Sequence, residues 1–467
     1  MRGLLARARA RHAGASDAGI TLAEVLVAML VFGLISTGFI ATSITVISVT
    51  RDSRSREVAA NLAAEEIDLA RDTEDLFALL DGDRSVEMNG DRFHVRRTTS
   101  WVTNPDQEFS CGGAGGVGGA AGGQLRYKRV NVEVTWDNMR DGARAVRSDT
   151  VINPAARIND PTLGTIIVSV LNGAGTGAQN IQVATSPSLS VAIKPTDAQG
   201  CTYILKVPPR SYTVSVSKSG FVDATQAASS SQTVSVVAGQ STTVGFQYDQ
   251  AATYTARLAS TAPAGMALRL PSGMKTTFTN TYGIFNRDAN AGAGTLTPRF
   301  TLHPFAQGYQ AYAGTCDAAD PMQWPEEAVP GGTLRGERLP AVAANPGGSA
   351  TIDVPMALVA ITGGSGGSFL KAVSQTPQNV RSPENPQGVP TCATPETLTF
   401  GNVLGSGTTV IALPYGTWKL FRGTTAGTQN TVAAAATLSF PAPVVPERSS
   451  VTPDGTVTLD PRVVVAP

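Results

Sequence analysis

An uninterrupted apolar segment near the start of the chain constrains its fold more than any other feature. From Val25 to Val49 no residue is charged, and the only polar side chains are those of Ser and Thr. About 20 such residues are enough for a helix to cross the hydrocarbon core of a bilayer. Glu24 directly precedes the segment, although a carboxylate inside a bilayer costs on the order of 2.5–3.5 kcal/mol on insertion scales. The segment predicts a membrane-spanning helix whose acidic residue must have a function.

The residues before this segment differ from an ordinary secretory signal, which is cleaved after its apolar region at a motif of small residues. Here a short polar leader, residues 1–19, carries four arginines and ends at Gly19, ahead of the apolar region. The clustered positive charge predicts that the leader lies in the cytoplasm and that the chain after about residue 50 lies outside.

The junction sequence Gly19-Ile20-Thr21-Leu22-Ala23-Glu24 resembles the processing site of type IV prepilins. Their mature chains usually begin with Phe, so Ile20 departs from the pattern. The resemblance implies that a prepilin peptidase cuts between Gly19 and Ile20 and that Ile20 is then N-methylated. It also implies that Glu24 pairs with the amino terminus of a neighbouring subunit, since a buried charge is much less costly when paired. The alternative interpretation is that Glu24 reaches the lipid headgroups.

The membrane segment is expected to continue as one long helix. Residues 51–71 are rich in helix formers and contain no Pro or Gly. Their apolar positions recur at a loosely helical spacing. We therefore expect a helix over residues 20–80, of which residues 20–49 serve for membrane insertion and assembly.

Short alternating segments between residues 81 and 160 predict a small antiparallel sheet packed on the outer half of the helix, which is an α+β pilin head. In the middle strand, valines and Trp136 alternate with polar residues, and we expect Lys128 on the exposed side. The glycine-rich residues 112–123 predict a flexible loop and lack the Lys-Ser/Thr ending of a phosphate-binding loop. The expected strands are residues 93–102, 126–136 and 145–152.

After residue 160 the chain is rich in Gly, Ser, Thr, Ala and Pro, and short β-like runs recur about every 8–12 residues, which is typical of all-β Ig-like sandwiches. A weak threefold repeat predicts modules at residues 161–250, 251–356 and 357–467. Each opens with an apolar strand, and each closes with a Gly turn and a strand at a spacing of about 108 residues. The opening strands are Thr165–Val170, Thr253–Leu258 and Ala357–Thr362, and the closing turns are Ala238-Gly239, Pro346-Gly347 and Asp454-Gly455.

The first of these modules resembles carboxypeptidase-regulatory-like domains, which are prealbumin-type sandwiches. The resemblance rests on Asp197-Ala198-Gln199-Gly200, on Pro208-Pro209-Arg210-Ser211-Tyr212 and on Gly220-Phe221. Arg210 stands where that family has Gly. The resemblance implies a spacer or a binding module.

Four cysteines, Cys111, Cys201, Cys316 and Cys392, are far apart in the chain. An even number in an exported protein favours two disulfides over free buried thiols. Four cysteines can form two disulfides in three different pairings. We favour Cys111–Cys201, which would pin the head to the first module, and Cys316–Cys392, which would join the last two. Cysteine pairs at metal-ligand spacing are absent, and we expect neither a metal nor a cofactor.

No residue pattern indicates an enzyme. The run Gly363-Gly364-Ser365-Gly366-Gly367 matches the G-x-S-x-G pattern, but it lies in a Gly/Ser stretch and no histidine follows it. A formal net charge of zero gives no indication of nucleic-acid binding by bulk charge.

We therefore interpret the chain as a low-copy minor pilin-like subunit of a type IV filament system. Its expected partners are prepilin peptidase, other pilin subunits and the cell membrane. It would span the membrane once and then enter an extracellular filament. Its β-modules would initiate assembly or contact a surface, another cell or DNA. The alternatives are a pseudopilin of a type II secretion-like machine and a membrane-tethered adhesin that does not assemble.

Overall fold

The computed structural model consists of one long N-terminal helix followed by many β-sheets, as the sequence predicted. The leader, Ile20, most of the glycine-rich loop and Ser365 lie outside the described residues. By contacts the chain forms two compact units, residues 1–102 with 126–155, and residues 103–125 with 156–467. The structure describes residues 21–103, 107–109, 111, 123–139, 142–155, 157–289, 296–363, 367–375, 390, 392, 394–441 and 449–466.

The helix α1 runs over Leu22–Arg71 and ends earlier than the expected residue 80. The backbone N–H of Asp72 caps it by donating to the carbonyls of Asp68 and Ala70. Beyond the cap, Leu76 and Leu79 turn into the interior and are buried. The sequence of this segment is compatible with a helix, and burial of these two leucines in the head determines its course instead.

The sheet of the first unit contains β1 (Gly82–Met88), β2 (Asp91–Thr103), β4 (Leu125–Trp136) and β5 (Val146–Ile152), in the order β1-β2-β4-β5. The strand β1 is an addition to the three predicted strands; it pairs antiparallel with β2. A short β3 (Gln107–Phe109) lies in the loop after β2. The helix packs on this sheet through small and aliphatic side chains, namely Ala59, Leu62, Ala63, Ile67 and Ala70.

The prediction that Lys128 is exposed was wrong. Its side chain is only 2% exposed. Lys128 lies two positions before Val130, and because strand side chains alternate, both point to the buried face of β4. Its Nζ atom donates to the carbonyl oxygen of Leu76 at 2.9 Å and also to that of Leu79. The buried ammonium group is thus satisfied by the segment that follows the helix.

The second unit begins with a two-sheet sandwich, the first β-module, which has its own apolar core from Ile166 to Tyr248. Its sheets have the strand orders β10-β12-β6-β8 and β11-β9-β7. The strands are β6 (Gly164–Leu171), β7 (Gln182–Ser186), β8 (Cys201–Val207), β9 (Ser211–Ser217), β10 (Phe221–Asp223), β11 (Ser229–Ser235) and β12 (Ser241–Gln250).

The remaining strands form five sheets, of orders β17-β13-β21, β14-β25-β22-β28, β16-β15-β18, β19-β20-β31 and β24-β23-β26-β30-β29, with β27 paired to β26. The strands are β13 (Ala252–Leu258), β14 (Leu268–Arg269), β15 (Lys275–Asn280), β16 (Gly283–Asp288), β17 (Arg299–Leu302), β18 (Gln310–Ala313), β19 (Glu327–Val329), β20 (Gly332–Arg335), β21 (Ser349–Val354), β22 (Ala357–Thr362), β23 (Phe369–Ser374), β24 (Thr397–Asn402), β25 (Thr408–Leu413), β26 (Gly416–Gly423), β27 (Thr431–Val432), β28 (Leu438–Ser439), β29 (Ser450–Val451), β30 (Thr456–Leu459) and β31 (Val463–Val465). Short 3₁₀ helices occur at Asp317–Ala319, Pro321–Gln323 and Ala435–Thr437.

The ranges expected as second and third modules share one apolar cluster that extends from Ala252 to Leu459. Two strand pairs join them, β14 with β25 and β20 with β31. The strand β22 explains the shared core, because every residue from Ala357 to Ile361 is buried. A strand buried on both faces must be covered from both sides.

The predicted repeat is visible in the strand pairing of its first two copies. The opening strand pairs in parallel with the closing strand in both, β6 with β12 and β13 with β21. The N–H of Thr165 donates to the carbonyl of Gln240 at 2.9 Å, and Thr253 donates to Gly348 at 2.9 Å. The third copy differs, since its opening strand β22 pairs with β25 and its closing strand β30 with β26.

Candidate assembly and membrane site

The start of α1 is held by a reciprocal pair of hydrogen bonds between Thr21 and Glu24. The Thr21 hydroxyl accepts the backbone N–H of Glu24 at 3.3 Å. The Glu24 carboxylate accepts the backbone N–H of Thr21 at 3.3 Å and its hydroxyl at 3.1 Å. This is a capping box, and a negative charge at a helix N-terminus is further stabilised by the helix dipole. This function of Thr21 was not predicted from the sequence, although the T-x-x-E spacing is its usual signal.

The first half of α1 exposes apolar side chains on all sides. Leu22, Phe32, Phe39 and Ile47 are 79, 72, 73 and 69% exposed. The helix contains an 18-residue stretch that is strongly apolar and has no residue buried inside the protein. Within the described residues it is the one helix long and apolar enough to cross a membrane. A helix that is apolar all round needs an apolar environment, either lipid or other helices.

Four of the six hydroxyl groups between Val25 and Val49 donate hydrogen bonds within the helix itself. The side chains of Thr37, Thr42, Thr45 and Ser48 donate to backbone carbonyls one turn earlier, at 2.8–2.9 Å. In hydrocarbon every polar group needs an internal partner. These hydroxyls therefore do not oppose insertion into a bilayer.

Where the apolar segment ends, the helix is bound to the tip of the β1–β2 hairpin. Asp91, at the first position of β2, is buried and accepts hydrogen bonds from Arg51, from the hydroxyl of Ser55 at 2.9 Å and from the amide of Asn138 at 3.2 Å. The hydrogen bond from the Arg51 guanidinium is the main cause that lowers the pKa of Asp91. The carboxylate thus stays ionised and fixes the hairpin to the helix.

A second ionic cluster binds the outer half of the helix to the sheet. The buried carboxylate of Glu66 accepts Nε of Arg84 on β1 at 2.9 Å and an amino group of Arg97 on β2 at 2.6 Å. Charge-assisted bonds of this kind are directional. They set the rotation of the helix over the sheet, and so the direction in which the apolar half leaves the head.

Both disulfides lie in the second unit. Cys111 is bonded to Cys201, with Cα atoms 6.1 Å apart, and Cys316 to Cys392, with Cα atoms 4.8 Å apart. These are the pairs that sequence favoured, but Cys111 belongs to the 103–125 segment of the second unit and not to the head as expected. The second disulfide joins two ranges that already share a core.

The Asp197–Gly200 motif of the first β-module builds a turn. The carboxylate of Asp197 accepts the backbone N–H groups of Gln199 and Cys201, both at 2.9 Å. Gly200 has a φ of +79°, and a Cβ atom there would lie 2.1 Å from the carbonyl oxygen of Val170. The motif therefore positions the start of β8. Among the described residues there is no cluster of three or more side chains able to hold a metal ion.

Neither a protein-family model nor a curated protein sequence matches this chain. Matching solved structures include the TIE protein of Bacillus anthracis, with a TM-score of 0.19 and 11% identity over 74% of this chain and 68% of that one. A streptococcal ancillary pilin matches with a TM-score of 0.18 and 7% identity over 55% and 91% of the two chains. BcpA, the major pilin subunit of Bacillus cereus, matches with a TM-score of 0.19 and 10% identity over 63% and 91%. At such TM-scores these similarities carry no argument about function.

Proposed function

We propose that this protein is a low-copy, type IV pilin-like subunit that is processed between Gly19 and Ile20 and assembles through α1. The observation that carries the proposal is the first half of α1, which is apolar on every side and has a single carboxylate at its start. An exposed apolar surface of this extent marks a membrane or protein interaction site. The outer half of the same helix is fixed to a compact sheet, so the apolar half is available for both the bilayer and a filament core.

Glu24 is the residue that makes the helix suited to assembly. Its carboxylate is exposed, and among the described residues Thr21 is its hydrogen-bond partner. Among packed helices it would lose water, and it would then need a cation. A new α-amine on Ile20, with an ordinary pKa near 8, is largely protonated at neutral pH. Processing would thus create the cation that a neighbouring Glu24 requires.

The β-modules support a low-copy position. About two thirds of the chain follows the head. A part of this size on each subunit would crowd a helical lattice. We propose that the modules are displayed outside, where they initiate assembly or contact a surface.

Mass spectrometry of the mature chain tests the processing step. The expected product begins with N-methylated Ile20 and lacks residues 1–19. An intact leader, or a mature end at another residue, would contradict the proposal.

Replacing Glu24 with Gln tests the assembly step in the native host. We expect normal membrane insertion and a more than tenfold lower amount of the variant in sheared filaments. Without Glu24, the amino terminus of a neighbouring subunit would be a buried charge with no partner, which costs about 3–5 kcal/mol. The matched control is Thr21→Ala, which removes the other half of the capping box at a cost of about 1 kcal/mol. If both variants enter filaments equally well, Glu24 serves only as a helix cap.

A further inference from the structure

A groove of about 690 Å³ lies between α1 and the tip of the β1–β2 hairpin, next to the hydrogen bonds by which Asp91 joins them. One wall is helical and carries Val46, Ile47, Thr50 and Arg54, and the opposite wall carries Met88 and Asn89. Ligand pockets in proteins commonly have volumes of roughly 300–1,000 Å³. The groove is therefore large enough for a small ligand or for part of a lipid.

The position of the groove along the helix relates it to the membrane. From Val25 to Ile47 the helix rises about 33 Å at 1.5 Å per residue. The hydrocarbon core of a bilayer is about 30 Å thick. If the apolar segment spans the membrane, as the proposed function requires, Ile47 lies at the outer edge of the hydrocarbon. Arg51 and Arg54 then lie about one to two turns higher, at the level of the lipid phosphates.

The chemistry of the groove changes along the same direction. Its membrane-side lining includes Val46 and Ile47, which are apolar and continuous with the exposed surface of α1. Met88 projects from the hairpin tip, lines the groove and is 44% exposed, so its side chain is accessible to an acyl chain there. Further along α1 the lining includes Arg51 and Arg54 as well as Val58, and the hairpin adds Asn89 and Phe93. The membrane-side end of the groove is thus apolar where acyl chains would lie, and the two arginines lie where headgroups would lie.

The charges in the groove favour an anion. Asp91 is the one carboxylate among its described lining residues, and it already binds Arg51, Ser55 and Asn138. Arg54 is exposed and has no hydrogen-bond or ion-pair partner among the described residues. One guanidinium group is therefore available at the height of the phosphates.

The geometry points to a binding site for one anionic phospholipid of the outer leaflet, with its phosphate on Arg54 and an acyl chain along Ile47 and Met88. The site lies beside Asp91 and its hydrogen-bond partners Arg51, Ser55 and Asn138. A lipid bound there would contact both the helix and the hairpin tip, and so hold the head at a fixed height above the membrane.

Native mass spectrometry of the full chain, reconstituted in vesicles and released into mild detergent, tests this inference. The vesicles contain phosphatidylcholine alone or phosphatidylcholine with phosphatidylglycerol. We expect the chain to retain one phosphatidylglycerol in preference to phosphatidylcholine. Arg54→Gln should reduce this retention about fivefold, the effect of ~1 kcal/mol for one basic residue at a membrane surface. Met88→Glu, which places a negative charge in the groove, should reduce it as well.

The matched control is Arg56→Gln. Arg56 is also exposed and carries the same charge, but it does not line the groove and donates instead to the carbonyl of Arg144 at 3.5 Å. An equal loss in Arg54→Gln and Arg56→Gln would show a general attraction of the surface to anionic lipid and would overturn the site. Equal retention of both lipids, or a second copy of the chain in place of the lipid, would overturn it too. Failure to insert into either kind of vesicle would contradict the membrane anchor itself, and the site would fall with it.

Discussion

The head and the first β-module use their buried charges in different ways. In the head, buried ionisable side chains join separate elements: Glu66 on α1 binds two arginines of the sheet, and Lys128 on β4 binds the segment after the helix. In the first β-module, the buried carboxylates of Asp223 and Asp249 accept backbone N–H groups at 2.8–2.9 Å. In the head the buried charges bind side chains or carbonyl groups of other elements, whereas in the first β-module they bind backbone N–H groups of turns and loops.

The difference indicates what determines the geometry of each region. The face of α1 that packs on the sheet contains small residues such as Ala59, Ala63 and Ala70. Small apolar side chains give little steric preference for one rotation, so the directional ion pairs can select it. In the first β-module, close backbone contacts at turns select the strand register. We therefore expect the module to be sensitive to added volume and the head to be sensitive to lost charge.

The largest effect is expected from Gly200→Ala in the first β-module. The new Cβ would clash with the carbonyl oxygen of Val170 at 2.1 Å, and the residue would keep a left-handed φ of +79°. Strain and overpacking together should destabilise the module by about 3–5 kcal/mol. Hydrogen exchange of the full chain measures this as lost protection in β6 and β8, while β2 and β4 of the head report whether the effect stays local.

Gly175→Ala provides the matched control for this prediction. Gly175 has nearly the same φ, +78°, but nothing lies within 4 Å of a Cβ atom there. Only the backbone strain should remain, about 1 kcal/mol. If the two variants are equally destabilised, close packing at the turn is not what fixes the module.

A smaller effect is expected from Lys128→Met in the head. Methionine keeps most of the side-chain length but leaves the carbonyls of Leu76 and Leu79 without their charged donor. Loss of hydrogen bonds from a charged group should destabilise the head by about 2–3 kcal/mol. Amide hydrogen exchange would show this as lost protection in β4 and in the last turns of α1, while the first β-module would be unchanged. Arg129→Met, on the exposed side of the same strand, should have little effect; an equal loss there would mean that the buried ammonium group is not responsible.

The fold was predictable wherever burial follows a local period. The apolar run predicted the first half of α1, and alternation predicted β2, β4 and β5. The end of α1 and the burial of Lys128 were not predictable, because each depends on the other across about 50 residues of chain. The apolar core shared by the two ranges 251–356 and 357–467 was also not predictable, since the threefold motif says nothing about which strands pair across its copies.

In the candidate site, too, local features were predictable from the sequence and long-range contacts were not. Glu24 was found because a carboxylate beside an apolar run is unusual by itself. Asp91 was not found, because its partners Arg51, Ser55 and Asn138 are 36 to 47 residues away in the chain. The residues that line the groove come from α1 and from the β1–β2 hairpin, which only the fold brings together.

His303 is the residue that tests whether electrostatics also matters between the β-modules. It is 1% exposed, and both ring nitrogens lack a hydrogen-bond partner within the described structure. Its ring lies 4.4 Å from that of Phe305, and the hydroxyl of Tyr309 donates to its carbonyl at 2.8 Å. Asp223 and Asp249 of the first β-module act on it through their charge. Burial lowers the pKa of His303 and outweighs the opposing effect of these two carboxylates.

The smallest effect is therefore expected from the titration of His303. In the unfolded chain its pKa is near the ordinary value of about 6.5. Because the folded pKa is lower, the unfolded chain binds the proton first, and stability falls as the pH decreases below about 6.5, until the folded pKa is reached. Above about pH 7 both states are neutral and the residue contributes nothing to the pH dependence. Unfolding of the full chain and of His303→Phe, compared at about pH 7 and about pH 5, isolates this contribution, since the other titrating groups are common to both proteins. The variant should lose less stability in acid. An equal or greater loss of stability in the variant would show that the contact between the modules around His303 depends on packing alone.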